Sequence, residues 1–144
     1  MPALTRRRNP ERQDCWHVDY GDVHVGTIAR SIGNPNAAPQ WQWRCGFYPG
    51  CDPGQHRSGT SATLDEARAD FAAVWAILQP TRTETDFDAW RCQRARTAWK
   101  YAMWDAGMKM PTQTVDGRTR CFCGAAIDDR TTSDHIHACH MEVA

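Results

Sequence analysis

Six side chains able to ligate a soft or borderline metal ion fall within the stretch from Cys121 to His140: Cys121, Cys123, His135, His137, Cys139 and His140. Zinc prefers thiolate and imidazole in a tetrahedron, and coordination can hold together a segment too polar to fold by apolar burial alone. Residues 110–144 are therefore expected to form a small Cys/His segment with a structural zinc site. Just upstream, Val115-Asp116-Gly117-Arg118 carries an Asp-Gly turn, which places Cys121 and Cys123 on or after a short strand. The remaining ligands would come from a short helix begun at Thr132 or Ser133. On it His135 and Cys139, four apart, face the same way, while His135 and His140, five apart, need a distorted last turn. Either pair fits, and His137 also stands within reach.

The whole chain has 144 residues, which suits one domain with a short appendage. Seventeen Lys and Arg balance seventeen Asp and Glu, so any polyanion site must be a local patch. No apolar run approaches the roughly 20 residues that span a bilayer, and no signal-like hydrophobic stretch follows the basic start. The seven cysteines, an odd number, read as thiols or metal ligands in a reducing compartment, so the cytoplasm is the expected location and no membrane partner is expected. The seven tryptophans are the expected core material.

After a basic N-terminus, residues 1–14, expected to be disordered, the run Cys15-Trp16-His17-Val18-Asp19-Tyr20 alternates as a half-buried strand does. Gly21-Asp22 fits a type II′ turn, which would pair Tyr20 with Val23, Val18 with Val25 and Trp16 with Thr27 on a buried face. The same register sets Asp19 opposite His24 on the wet face, as an ordinary cross-strand polar pair. The segment Gly33 to Pro39 is a loop, and a third strand begins at Trp41, with Trp43, Cys45 and Phe47 pointing one way. Pro49 to Gly54 is again a loop by composition.

Thr63-Leu64-Asp65-Glu66 is a capping box, and Leu64, Ala67, Phe71, Val74, Trp75 and Leu78 form the buried stripe of a helix that ends before Pro80. A second helix is expected from Asp86 to Ala106, capped by Thr85 and stopped by Gly107. Phe87, Trp90, Tyr101, Trp104 and Met108 lie along one side of it, while Arg91, Arg94, Arg96 and Lys100 make its middle basic. The fold class is α+β: a three-stranded antiparallel meander packed on a helix, then a long second helix, residues 15–109 in all, followed by the Cys/His segment.

Enzyme templates find little purchase. There is no phosphate-binding Gly-rich loop, no G-x-S-x-G elbow and no H-E-x-x-H. His140-Met141-Glu142 matches half of the zinc deaminase signature, without the P-C-x-x-C that completes it. Cys45, Cys51 and His56 form a second candidate metal trio, although Cys45 reads more simply as a core residue.

Read from Cys121, Cys123, Ile127, His135 and His140, the last twenty-five residues or so resemble zinc fingers of the two-cysteine, two-histidine type. The resemblance implies a hairpin against a helix, Cys121, Cys123, His135 and His140 as ligands, and DNA or protein as partner. It departs from that family in the single residue between the cysteines and in Ser133, where a large apolar residue is usual. Cys121-Phe122-Cys123-Gly124 with Asp134-His135-Ile136 also resembles the opening half of HNH endonucleases, which would make His135 a general base. The downstream Asn and His of that family have no counterpart here. Over residues 15–79, Gly26-Thr27-Ile28, Trp41-Gln42-Trp43, Gly59-Thr60 and Thr63 to Ala67 resemble a small β-β-β-α module of uncharacterised bacterial proteins. The order of elements is also similar to sheet-reading DNA-binding domains of the AP2-like and integrase N-terminal kinds; the exposed sheet face would carry His17, Asp19, His24, Gln42 and Arg44. The expected function is a non-enzymatic binding or regulatory module with a structural zinc ion. Nucleic acid is the preferred partner class, protein the second, and an HNH-like nuclease the enzymatic alternative.

Overall fold

The computed structural model describes residues 3–33 and 35–141. Met1 and Pro2 of the expected N-terminal tail, Asn34 of the Gly33–Pro39 loop, and Glu142, Val143 and Ala144 of the Cys/His segment lie outside the described residues. The chain divides into two compact units, Met1–Trp90 and Arg91–Ala144.

In the first unit, β1 (Leu4–Arg8), β2 (Cys15–Tyr20), β3 (Val23–Arg30), β4 (Trp41–Cys45) and β5 (Arg57–Ser61) form an antiparallel sheet in sequential order. The α+β class stands, with a strand added at each edge of the expected three-stranded meander. β1 lies in the segment read as a disordered tail. Its sequence, Leu-Thr-Arg-Arg-Arg, has almost no apolar pattern because it is an exposed edge, anchored by its ladder to β2 and by Arg7 Nε donating to Asp19 Oδ2 at 2.6 Å. β5, Arg-Ser-Gly-Thr-Ser, is equally featureless for the same reason.

Gly21 turns the β2–β3 hairpin with φ of 61°. Tyr20 pairs with Val23 and Asp19 with His24 as expected, but a bulge then shifts the register: Val18 pairs with Gly26 and Trp16 with Ile28, rather than with Val25 and Thr27. Val25 is the extra residue, fully buried. The shift sets Gly26 under the second layer, where a Cβ would lie 2.6 Å from the Phe71 ring and 2.0 Å from the Arg44 carbonyl oxygen.

That layer begins with α1 (Leu64–Leu78). Thr63 Oγ1 accepts from the Glu66 amide at 3.1 Å, and Glu66 Oε2 reaches back to the Ala62 amide at 3.2 Å, so the cap forms one residue wider than the sequence suggested. Ala67, Phe71, Trp75 and Leu78 are buried, while Leu64 and Val74 are half-buried at the margin. Phe47 stacks on Phe87 at 5.2 Å between centroids, and Tyr20 fits against both Trp75 and Phe87.

The second helix, α2, runs Glu84–Asp105 and starts two residues earlier than expected. Its cap is Thr83, not Thr85: the Thr83 amide donates to Asp86 Oδ2 at 2.7 Å and Thr83 Oγ1 accepts from the Asp86 amide at 3.3 Å. The expected aromatic side does not hold together either. Phe87 is buried, but Tyr101 and Trp104 are 68% and 78% exposed. Trp104 is thus the exception to the tryptophan core.

In the second unit, Ala95, Trp99 and Met103 of α2 pack with Cys121, Ile127 and Ile136. The boundary therefore falls inside α2 rather than at residue 109, because the helix's later apolar residues belong to the C-terminal core. Among the described residues no helix is long and apolar enough to cross a membrane.

Candidate metal centre

Two short strands, β6 (Arg118–Arg120) and β7 (Ala126–Asp128), pair antiparallel, and α3 (Thr132–Cys139) follows. Asp116-Gly117 turns the chain into β6, with Gly117 at φ 68° and the Arg118 amide donating to Asp116 Oδ1 at 3.1 Å. The hairpin itself closes at Cys121–Ala125: the Gly124 amide donates to the Cys121 carbonyl and the Cys121 amide to the Ala125 carbonyl, both at 2.8 Å. Gly124 adopts φ of 95°, a conformation costly for a residue with a Cβ. On an extended strand these two cysteines would share a face but stand about 6.5 Å apart; the tight turn instead brings their sulfurs to within 4.8 Å of each other despite the single-residue spacer.

Asp128 joins β7 to α3. Its Oδ1 accepts from the amides of Arg130 and Thr131 at 2.8 and 2.9 Å, and its carbonyl accepts from Thr132 Oγ1 at 2.6 Å. Those amide bonds hold the Asp128 carboxyl below its ordinary range. α3 presents His135 from its second turn. His140 is the first residue beyond the helix, at φ −131° and ψ 17°, still tied by its amide to the Ile136 carbonyl. This departure from helical geometry is the distortion that a five-residue spacing requires.

The result is one compact group. The ligating atoms of Cys121, Cys123, His135 and His140 all lie within 4.8 Å of one another. Cys121 Sγ is 3.4 Å from His140 Nε2, Cys123 Sγ is 3.4 Å from His135 Nε2, and the two Nε2 atoms are 3.2 Å apart. A zinc ion with Zn–S of about 2.3 Å and Zn–N of about 2.05 Å has tetrahedral edges of roughly 3.6 Å for S···N and 3.3 Å for N···N. The observed spacings fall within about 0.2 Å of both. Burial, and then the charge of neighbouring His135, holds His140 below the ordinary histidine range, favouring the neutral ring that a metal requires.

Of the alternatives the spacing left open, Cys139 is exposed and outside the group, and His137 turns instead to Cys92, 3.9 Å from its Nδ1. Ser133, which stands where a larger apolar residue was expected, accepts a hydrogen bond from Arg96 at 3.0 Å, while Ile136 supplies the buried contact one turn on. Trp99 was not singled out from the sequence. Its indole N–H donates to Cys121 Sγ at 3.3 Å, within the buried core. Its place on a helical stripe with Ala95 and Met103 was the available signal. Phe122 leans on the His140 ring at 4.9 Å.

Cys45, Cys51 and His56 do not form a comparable group; among the described residues the C-terminal four are the only such cluster. Cys45 and Cys51 are buried in the first unit's core, and desolvation, with Cys51 adding to it, pushes the Cys45 thiol up to about 12. On the sheet's other face, Asp19 meets Arg7 as well as His24, whose Nδ1 lies 3.4 Å from Asp19 Oδ1 without hydrogen-bond alignment. The pair is the cross-strand polar contact that the sequence suggests, with Arg7 as the ion-pair partner of Asp19. What the C-terminal residues can do rests on their own geometry, for no protein-family model, curated protein or solved structure matches this chain.

Proposed function

We propose that Cys121, Cys123, His135 and His140 hold one zinc ion whose role is structural, in a non-enzymatic binding module of the cytoplasm. The observation that carries the reading is the convergence of two sulfurs and two imidazole nitrogens within 4.8 Å, with two S···N separations and the N···N separation close to the edges of a tetrahedral S2N2 site. Four protein ligands leave no open position for a substrate, which favours structure over catalysis. His135 supports the same choice: its Nε2 faces Cys123 and His140, as a ligand's would, whereas a nuclease base would turn that nitrogen toward a substrate. Seven free cysteines suit a reducing compartment.

Elemental analysis of protein purified without added metal tests the site. One equivalent of zinc is expected, and it should be lost when Cys121 and Cys123 are both changed to Ser. Metal-free wild-type protein would overturn the assignment.

Single-stranded nucleic acid is the partner we favour, on the exposure of Tyr101 and Trp104 beside exposed Lys100 on α2. Stacking on aromatic rings next to a cation is how strands are held without sequence preference. Fluorescence anisotropy with a mixed-sequence oligonucleotide should show binding that weakens between about 50 and 200 mM salt and falls roughly tenfold or more for Trp104→Ala. Salt-tolerant co-purification of one polypeptide would instead favour a protein partner, and metal-dependent nicking of DNA that is lost in His135→Ala would favour the nuclease.

A further inference from the structure

A five-stranded sheet is about 19 Å across, and one helix with its side chains covers roughly 10 to 12 Å of it. α1 lies chiefly over β3, β4 and β5; Tyr20 at the end of β2 packs on Trp75 and Phe87, while the part of the same face around Leu4 and Val18 borders open space beside the helix. Pairing of Arg6 with Val18 and of Arg8 with Trp16 puts both arginines on that face, over apolar neighbours. Each guanidinium sits 5.6 Å from the centroid of the Trp16 ring. α1 turns small side chains, Ala69 and Ala72, to this side, and a cavity of about 390 Å³ remains between helix and sheet. Its floor is apolar, from Leu4, Val18, Ile28 and Phe71, and its rim carries Arg6 and Arg68.

We propose that this cavity binds a small organic anion with an apolar body, its carboxylate or phosphate head held between Arg6 and Arg68. The volume falls in the range of roughly 300 to 1,000 Å³ typical of small-ligand sites, and the lining sets a few polar groups at the rim of an apolar floor. Guanidinium forks match carboxylate and phosphate oxygens in pairs. The charge is also unbalanced in the right sense. Asp65 offsets Arg68 at 3.4 Å, but its side chain is 91% exposed, and one such carboxylate faces two cations. Burial first, then the charge of Arg68, lowers the Arg6 pKa, a direction that a bound anion would oppose.

The test uses the full chain with labelled methyl groups, titrated with octanoate, octyl phosphate and octanol. Saturable shifts of the Leu4, Val18 and Ile28 methyls are expected with at least one anion, the stronger of the two identifying the head group, and octanol should bind about tenfold more weakly or less. Arg6→Gln with Arg68→Gln should weaken the anion about tenfold or more while leaving the helical signal intact, since both side chains are at the surface. Ala72→Leu, which fills the cavity from an exposed helix position and keeps both arginines, should abolish binding. No saturable shift with either anion, or equal binding of octanol, would overturn the site. So would unchanged binding by the double variant; the arginines would then serve only to blunt an exposed strand edge.

Discussion

Cys121 has no solvent exposure, and the Trp99 indole proton points at its sulfur. With the proposed zinc bound, this sulfur would be a buried thiolate, for which such a donor spreads charge that water is not there to solvate. Trp99→Phe keeps the ring and removes the proton, so zinc affinity measured by chelator competition should fall about tenfold while the helical signal stays. His24 offers a second test. Burial chiefly, then the charge of His17, holds its pKa below the ordinary value, with Asp19 opposing in part. The unfolded chain therefore takes up that proton first, and stability should decline as pH falls below about 6.5 toward the lowered folded value. Urea midpoints at about pH 7.5 and 5.5 should show this slope, and His24→Gln should flatten it. The Cys121, Cys123, His135 and His140 cluster was legible as a candidate group because its chemistry is rare and its spacing local. Trp99 was not, because the partner that gives it meaning is 22 positions away.

Periodic burial located β2, β3, β4 and α1, while α2 and α3 were legible from the Gly107 stop and the Thr132–Ser133 start. β1 and β5 escaped because an edge strand carries its information in backbone pairing, which no side-chain period records. The bulge escaped for a related reason. Alternation predicts the wrong partner as soon as one extra residue enters a strand, and only the close approach of Phe71 to Gly26 shows why the register must shift there. Gly26→Ala should accordingly cost about 3 kcal/mol in denaturant unfolding, the upper range for overpacking, since the Cβ meets backbone as well as ring. In the C-terminal unit, Asp128 plays the organising part between β7 and α3. Its lowered pKa means its contribution is present above the ordinary carboxyl range and lost as pH falls through the folded value. Asp128→Asn should remove that acid sensitivity, read from α3 amide exchange across the acid range.

At the scale of the whole molecule, each unit has its own buried cluster, the first aromatic and large, the second small and built around the Cys/His group. Chelating the zinc proposed for this group should therefore melt the residues of β6, β7 and α3 while amides of Val18 and Phe71 keep their exchange protection. The sequence division at residue 109 missed this boundary because α2 is one uninterrupted helix, and nothing in its local pattern says which core each turn serves. The cysteines follow the same partition. Cys15, Cys45 and Cys51 are buried in the first unit, whereas in the second Cys123 and Cys139 are exposed, Cys92 is partly so and Cys121 alone is buried. Brief treatment with a maleimide, read by mass spectrometry, should label Cys139 first, add Cys123 only after chelation, and spare the three buried thiols of the first unit. Electrophiles and oxidants thus meet one half of this protein and not the other: under chemical stress the C-terminal unit would lose its fastening while the sheet behind Trp75 registers nothing.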